Sequence, residues 1–323
     1  HVYCPYDYPW AYRRFLKQFA PSACLLVETE LWPNLIHTCN QRSVPVIVAN
    51  ARLSEKSAKG YGKFAWLTKP MLSGVTHIAA QDEDSAQRFI ALGAAASTVS
   101  VMGSVKYDLE ISDGLDAAGK ALREVWGRDR KVVIAASTHE GEEAQVIKAF
   151  KALKSEYPTL LLVVVPRHPE RFDHVAELLV EEGLNCVRRS QTSTSVRHLE
   201  KTVDVYLGDT MGELMTLYAA SDIAIIGGSL IERGGHNPLE SAALGKPTII
   251  GESTYNFAEV CHTLQSAGGL AILSDNTHLS AEISKLLSGA GYAKNLGDAG
   301  AQVVANNKGA LARLLKRVEP YLS

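Results

Sequence analysis

Gly227, Gly228, Gly234, Gly235, Asn237 and Glu240 crowd one short stretch that follows the apolar run I-A-I-I at 223–226. Glycine lets a diphosphate-sized or sugar-phosphate group approach the backbone. A helix beginning at Asn237 and Pro238 would point its free N–H groups at that anion. Glu240 is then placed to accept two hydrogen bonds from a ribose diol. Asn237 and Glu240, three apart, also form a near capping box, and glycines after a strand often only turn the chain. Both readings stand on these residues alone.

Other loops carry matching chemistry. Arg167 comes directly after the apolar run at 159–165, and an arginine at the carboxyl edge of a sheet takes an anionic partner; His168 adjoins it. Ser137 and Thr138 lie where a strand meets a helix, suited to a phosphate or to plain capping. His139, Glu140, Glu142 and Glu143 offer metal donors, yet acidic residues gather at helix N-termini for dipole reasons, and no metal is expected. Gly227-Gly228-Ser229 begins like a nucleophile elbow, but Ile231 stands where glycine is required, which excludes that hydrolase. No full G-x-G-x-x-G occurs, which argues against a dinucleotide oxidoreductase.

Parallel βαβ units must position these groups. Apolar runs at 23–28, 44–50, 77–80 and 98–102 alternate with helical patterns at 32–41 and 82–92, and the opening H-V-Y-C is strand-like. Strands at 131–136, 159–165, 203–207, 223–226 and 248–250 repeat the alternation, each ending in a polar loop. By the switch-point rule those loops gather at one edge. Residues 103–127 read as a linker and an entry helix, and 309–322, with leucines at 311, 314, 315 and 322, as a terminal amphipathic helix.

A chain of 323 residues suggests two domains of about 150 residues each. Its net charge of −2 disfavours nucleic acid as a bulk partner. The five cysteines are scattered without C-x-x-C, so neither a disulfide framework nor a zinc site is indicated. No apolar stretch approaches the ~18 residues of a membrane span. Arg52, Lys56, Lys59 and Lys63, with Tyr61, Phe64, Trp66 and Leu67 close by, would share one helix face. Such a face suits an anionic membrane surface or a phosphorylated lipid, or is simply solvated.

E-T-E-L-W-P-N at 28–34, A-N-A-R-L-S at 49–54, G-S-V-K-Y-D at 103–108, A-S-T-H-E-G-E-E at 136–143, P-R-H-P-E-R-F at 166–172, G-D-T-M-G-E-L at 208–214, G-G-H-N-P-L-E at 234–240 and Y-N-F at 255–257 run through nearly the whole chain. In that order they resemble the Kdo (3-deoxy-D-manno-octulosonic acid) transferases of lipopolysaccharide synthesis. The resemblance implies a GT-B α/β fold: two Rossmann-like parallel-sheet domains facing across a cleft. It implies an acceptor domain at 1–108, a donor domain at 109–303, and a helix at 304–323 packing back toward the first.

The donor would be CMP-Kdo and the acceptor the phosphorylated lipid A precursor, at the cytoplasmic face of the bacterial inner membrane, with no cofactor. By the same resemblance Arg167 and the Met211-Gly212 backbone hold the cytidine, and His168 and Glu213 belong to the same donor site. Asn237 and Gly235 take the phosphate side, and Glu240 the ribose hydroxyls. Ser137, Thr138, Gly228 and Ser229 line the phosphate and sugar, and Arg52 with the basic stripe faces the acceptor or the bilayer. The family's base belongs to an N-terminal Gly-Glu motif not found here, expected upstream of residue 1 together with the membrane anchor. Glu28 and Glu30 are the in-chain carboxylate candidates. Ser104 stands where the family has asparagine. Three alternatives accompany this reading: a GT-B transferase with a uridine donor, an epimerase of the same fold, and a nucleotide-sugar-binding domain without turnover. Neither uridine enzyme accounts for E-T-E-L-W-P-N or the basic stripe.

Overall fold

A strand that is apolar on both faces is stable only where both faces of its sheet are covered, and V-I-V-A-N-A at 46–51 is buried throughout. The computed structural model describes residues 1–192 and 198–322 and divides into two units, His1–Asp108 with Asn307–Ser323, and Leu109–Asn306. In the first unit α1 (Pro9–Phe19), α2 (Pro33–Gln41), α3 (Glu55–Gly62), α4 (Ala65–Ser73) and α5 (Glu83–Ala91) surround a parallel sheet. Its strands are β1 (Cys24–Val27), β2 (Val46–Ala51), β3 (His77–Ala80) and β4 (Val99–Val101), in the order β1-β2-β3-β4. Val46 and Val48 pack with Leu35, Ile36 and Phe89 on one face, whereas Ile47 and Ala49 turn to the other.

The second unit runs α6 (Leu115–Trp126), β5 (Val132–Thr138), α7 (Glu142–Leu153), β6 (Leu161–Pro166), α8 (Phe172–Glu181), β7 (Cys186–Arg188) and β8 (Val205–Leu207). It continues with α9 (Leu214–Ala220), β9 (Ile223–Ile226), α10 (Leu239–Ala243), β10 (Thr248–Ile250), α11 (Ala258–Ser266), β11 (Ala271–Ile272), α12 (Leu279–Ser288) and α13 (Ala290–Asn307). The parallel order is β11-β10-β9-β5-β6-β8-β7. β5 is central, and Ala136 pairs with both Val165 and Ile226, so three neighbouring strands end level. Their loops therefore emerge side by side.

The chain's last helix, α14 (Ala310–Val318), covers the second face of the first sheet, with Leu314 and Val318 against Ile47, Ala49, Ala79 and Met102. Asp108 accepts the free N–H groups of Gly309 and Leu311 at the helix start. Arg313 donates Nε and Nη2 to the Met102 carbonyl at 2.9 and 2.7 Å.

Several expectations are corrected. H-V-Y-C is not a strand; residues 1–6 are irregular and the first element is α1, which Pro9 starts. The basic stripe does not ride on one helix: Lys63 flanks the end of α3, Phe64 flanks the start of α4, and Arg52 precedes both. α10 begins at Leu239, with Pro238 rather than Asn237 in the flanking position. Of the terminal leucines only Leu314 is buried, because Ala310 and Val318 complete its stripe. β7 and β11 were not anticipated; at three and two residues they are too short to show a period. Asp108→Ala removes the cap of α14 and is expected to cost about 1–2 kcal/mol, measured by urea unfolding together with faster amide exchange in α14.

Candidate functional site

β5 ends on a kink. Ser137 adopts φ 59°, and the β5–β6 register shifts between Ala136 and Thr138. Such a conformation costs of order 1–3 kcal/mol and persists only where surroundings enforce it. Gly227 lies directly on the kink: a Cβ there would come within 2.2 Å of the Ser137 carbonyl oxygen. Backbone bonds then tie the three loops, Gly227 N–H to Ala136 O at 2.8 Å and Arg167 N–H to Thr138 O at 3.0 Å.

Two carboxylates finish the brace. Glu142, fully buried at the start of α7, accepts the N–H groups of His139, Gly228, Ser229 and Leu230 at 2.9, 2.7, 3.1 and 2.9 Å. Burial pushes its pKa above the ordinary carboxylate value, and the N–H groups of Gly228, His139 and Leu230 oppose that. Glu143 accepts the Thr138 hydroxyl at 2.7 Å and both Nη atoms of Arg171 at 2.7 and 3.1 Å. The acidic first turn of α7 is therefore not a dipole effect alone; it joins the loops after β5, β6 and β9.

What remains available to a ligand is selective. The hydroxyl protons of Thr138 and Ser229 are engaged within the protein, the latter on the Ile226 carbonyl at 2.5 Å. Gly228, Gly234 and Gly235 all have positive φ, and Gly235 N–H bonds Gly228 O at 2.7 Å, folding the loop on itself. The Asn256 amide holds its rim through the Arg233 carbonyl at 2.9 Å. Asn237 Oδ1 accepts the Leu239 N–H at 3.0 Å, and its NH₂ has no hydrogen-bonded partner among the described residues. The side chains of Arg167 and Glu240 have no hydrogen-bonded partner among the described residues. They sense each other: burial raises the Glu240 pKa, and Arg167 opposes the rise. After β8, Met211 is exposed and Gly212 has φ 82°, while Glu213 is held by Arg189 at 2.8 Å and by Thr210. Asp209 anchors that turn from below, accepting Arg188 Nε and the Ser190 N–H, each at 2.7 Å.

A group that spacing did not reveal lies among these loops. His139 and His236 bring their Nε2 atoms to 2.8 Å with ring planes within 14° of parallel and centroids 5.0 Å apart, so they meet nitrogen to nitrogen, and His168 meets His139 edge-on at 5.5 Å. Burial lowers His236 to about 4, with His139, Arg167 and His168 adding to the effect. His139 is lowered as well, first by burial and then by Arg233. His139 and His236 stand 97 residues apart, so only strand order could have paired them.

In the first unit Glu28 closes β1 at φ 62°, Glu30 accepts Trp32 Nε1 at 2.9 Å, and the Thr29 hydroxyl bonds the Arg52 carbonyl at 2.6 Å. Lys56, Lys59 and Lys63 are exposed, Lys59 pairing with Glu55 at 2.6 Å, beside Phe64 and Trp66, 58% and 76% exposed. Among the described residues no helix is long and apolar enough to cross a membrane, and no cluster of three or more His, Cys, Asp or Glu is placed to hold a metal.

The Arg167 side chain could hold an anion, and the Glu240 carboxylate could accept a pair of hydroxyls beside it. Residues 1–109 match the family described as 3-deoxy-D-manno-octulosonic-acid transferase (kdotransferase), and residues 124–303 match glycosyl transferases group 1. A 3-deoxy-D-manno-octulosonic acid transferase of Haemophilus influenzae is 44% identical over 323 residues, 100% of this chain and 75% of the relative. The chain belongs to the Kdo transferase family. The Bordetella pertussis member is 36% identical, over 99% of this chain and 74% of its own. Among solved structures, the C-terminal CMP-Kdo binding domain of WaaA from Acinetobacter baumannii is 32% identical with a TM-score of 0.55, covering 59% of this chain and 97% of that one. The two parallel-sheet units of this Kdo transferase-family glycosyltransferase are thus of the GT-B class.

Glu142→Gln places an amide NH₂ against backbone N–H groups and is expected to destabilise the second unit by about 2–4 kcal/mol. Urea unfolding measures the loss, and amide exchange at Gly228, Ser229 and Leu230 locates it.

Proposed function

We propose that the chain transfers Kdo from CMP-Kdo to the phosphorylated lipid A precursor, with inversion, at the cytoplasmic face of the bacterial inner membrane. The second unit binds the donor and the first the acceptor. The observation that carries the donor is the edge after β5, β6 and β9. There the Arg167 side chain, the Asn237 NH₂ and the Glu240 carboxylate have no hydrogen-bonded partner among the described residues, in a unit that resembles nearly the whole of a CMP-Kdo binding domain.

Arg167 and the Met211-Gly212 backbone hold the cytidine. Asn237 and the surrounding loop amides take the phosphate, and Glu240 accepts the ribose hydroxyls. The acceptor hydroxyl attacks the anomeric carbon of Kdo as a carboxylate base takes its proton. The bond from that carbon to the phosphate oxygen breaks, and its electron pair leaves with CMP. Donors already in place around the phosphate stabilise the second negative charge without reorganising at that moment. Glu28 and Glu30, after β1 at the carboxyl edge of the first sheet, are the in-chain candidates for that base. Arg52, Lys56, Lys59 and Lys63 face the acceptor's phosphates or the anionic bilayer, with Phe64 and Trp66 supplying apolar contact.

Arg167→Ala and Glu240→Ala each remove one partner of a ligand polar group and are expected to weaken CMP binding by about 1–3 kcal/mol. Calorimetric titration checks this, and unchanged affinity in both variants would remove the donor from this edge. Charge reversal at Lys56 and Lys59 is expected to lower sedimentation with anionic liposomes while leaving CMP affinity alone; equal sedimentation would return the stripe to a solvated face.

A further inference from the structure

His139 and His236 lie on the loops after β5 and β9, half-buried, with Nε2 atoms 2.8 Å apart. One nitrogen must donate and the other accept, so the pair shares a single hydrogen between its two Nε2 atoms, and burial favours neutral rings. Nothing in the fold requires this bond to join the loops, because Glu142 and the Gly227 N–H already do so. The rings stand in cationic surroundings. His139 faces Arg233 from the loop before α10, and His168 and Arg171 from the segment after β6; His236 faces Arg167 and His168.

The nearby acids do not balance them. Glu142 and Glu143 are buried and engaged elsewhere, Glu170 lies 3.9 Å from His168, and Glu240 faces Arg167. Among the described residues no carboxylate bonds either ring. Glycine at 228 is what seats the second ring, since a Cβ there would come within 3.1 Å of it. Each histidine adjoins a residue of the phosphate side, His139 next to Thr138 and His236 next to Asn237.

We propose that His139 and His236 together bind the phosphate of the nucleotide donor, opening their shared hydrogen bond and taking up a proton from solvent as they do so. In the free protein two charged rings at this distance would repel, and the arginines reinforce that. An anion within ~4–6 Å reverses the balance, favouring the charged form by about one to three pH units. The charge that phosphate gains as the sugar leaves strengthens the same interaction, so the pair acts most on the departing CMP. Because a phosphate is common to all nucleotides, the pair is indifferent to the base.

The inference rests on this edge being the donor site, and the test separates the two. Imidazole ¹⁵N shifts are followed against pH in the free chain and with cytidine, CMP or UMP. CMP is expected to raise the His236 midpoint from about 4 by about three pH units, far enough for the pair to take up a proton near neutral pH, and cytidine to leave it unmoved. His139→Gln and His236→Gln are expected to lose about tenfold in CMP affinity with cytidine binding unchanged. Nucleotide binding with unmoved imidazoles, or equal losses for cytidine and CMP, would reduce the pair to a structural staple and overturn the proposal. A midpoint that rises with UMP but not with CMP would uphold the histidines and sink the cytidine reading. Binding of neither nucleotide would overturn both. The wild-type titration decides even if a variant fails to fold.

Discussion

A buried carboxylate with four backbone N–H groups around it governs this molecule. Removing Glu142 from water is costly, and only fixed donors make its charge tolerable there. Three of those donors are successive N–H groups of one glycine-rich loop and the fourth belongs to the loop that leads into α7. The carboxylate therefore sets the conformation of the glycine-rich stretch after β9. Glycine at 227 and 228 follows from this, since the backbone has to lie on the Ser137 kink and under the His236 ring.

The same logic sorts the polar residues of the edge. Thr138, Ser229, Glu143 and Arg171 are engaged with one another or with backbone and hold the loops in place. Arg167, Asn237 and Glu240 keep hydrogen-bonding capacity toward the outside. A rigid inner layer carrying a short outer set is what precise placement of a charged ligand requires. Each outer residue sits on a different loop or at the first turn of α10, so the site exists only when β5, β6 and β9 are adjacent.

Much of this was legible in the residues. β3 and β9 fall where the apolar runs at 77–80 and 223–226 placed them, and α5 follows its acidic start at Glu83. Those segments combine a clear period with a clear stop. The misses have physical causes. The basic stripe has helical spacing, but Lys63-Phe64 breaks the helix and Arg52 lies before it. Glu142 and Glu143 look in sequence like any acidic helix start, because burial, which makes them structural, is a tertiary property. The histidine pair joins loops 97 residues apart and has no local signal. The motif resemblance supplied the family where spacing alone left ligand and capping readings side by side.

We propose that the edge after β5, β6 and β9 is built for a cytidine nucleotide. The most direct measurement is calorimetric titration of the folded chain with CMP, UMP and UDP in turn. CMP is expected to bind with clear preference over both uridine nucleotides. Preference for UMP or UDP, or no binding of CMP by folded protein, would contradict it.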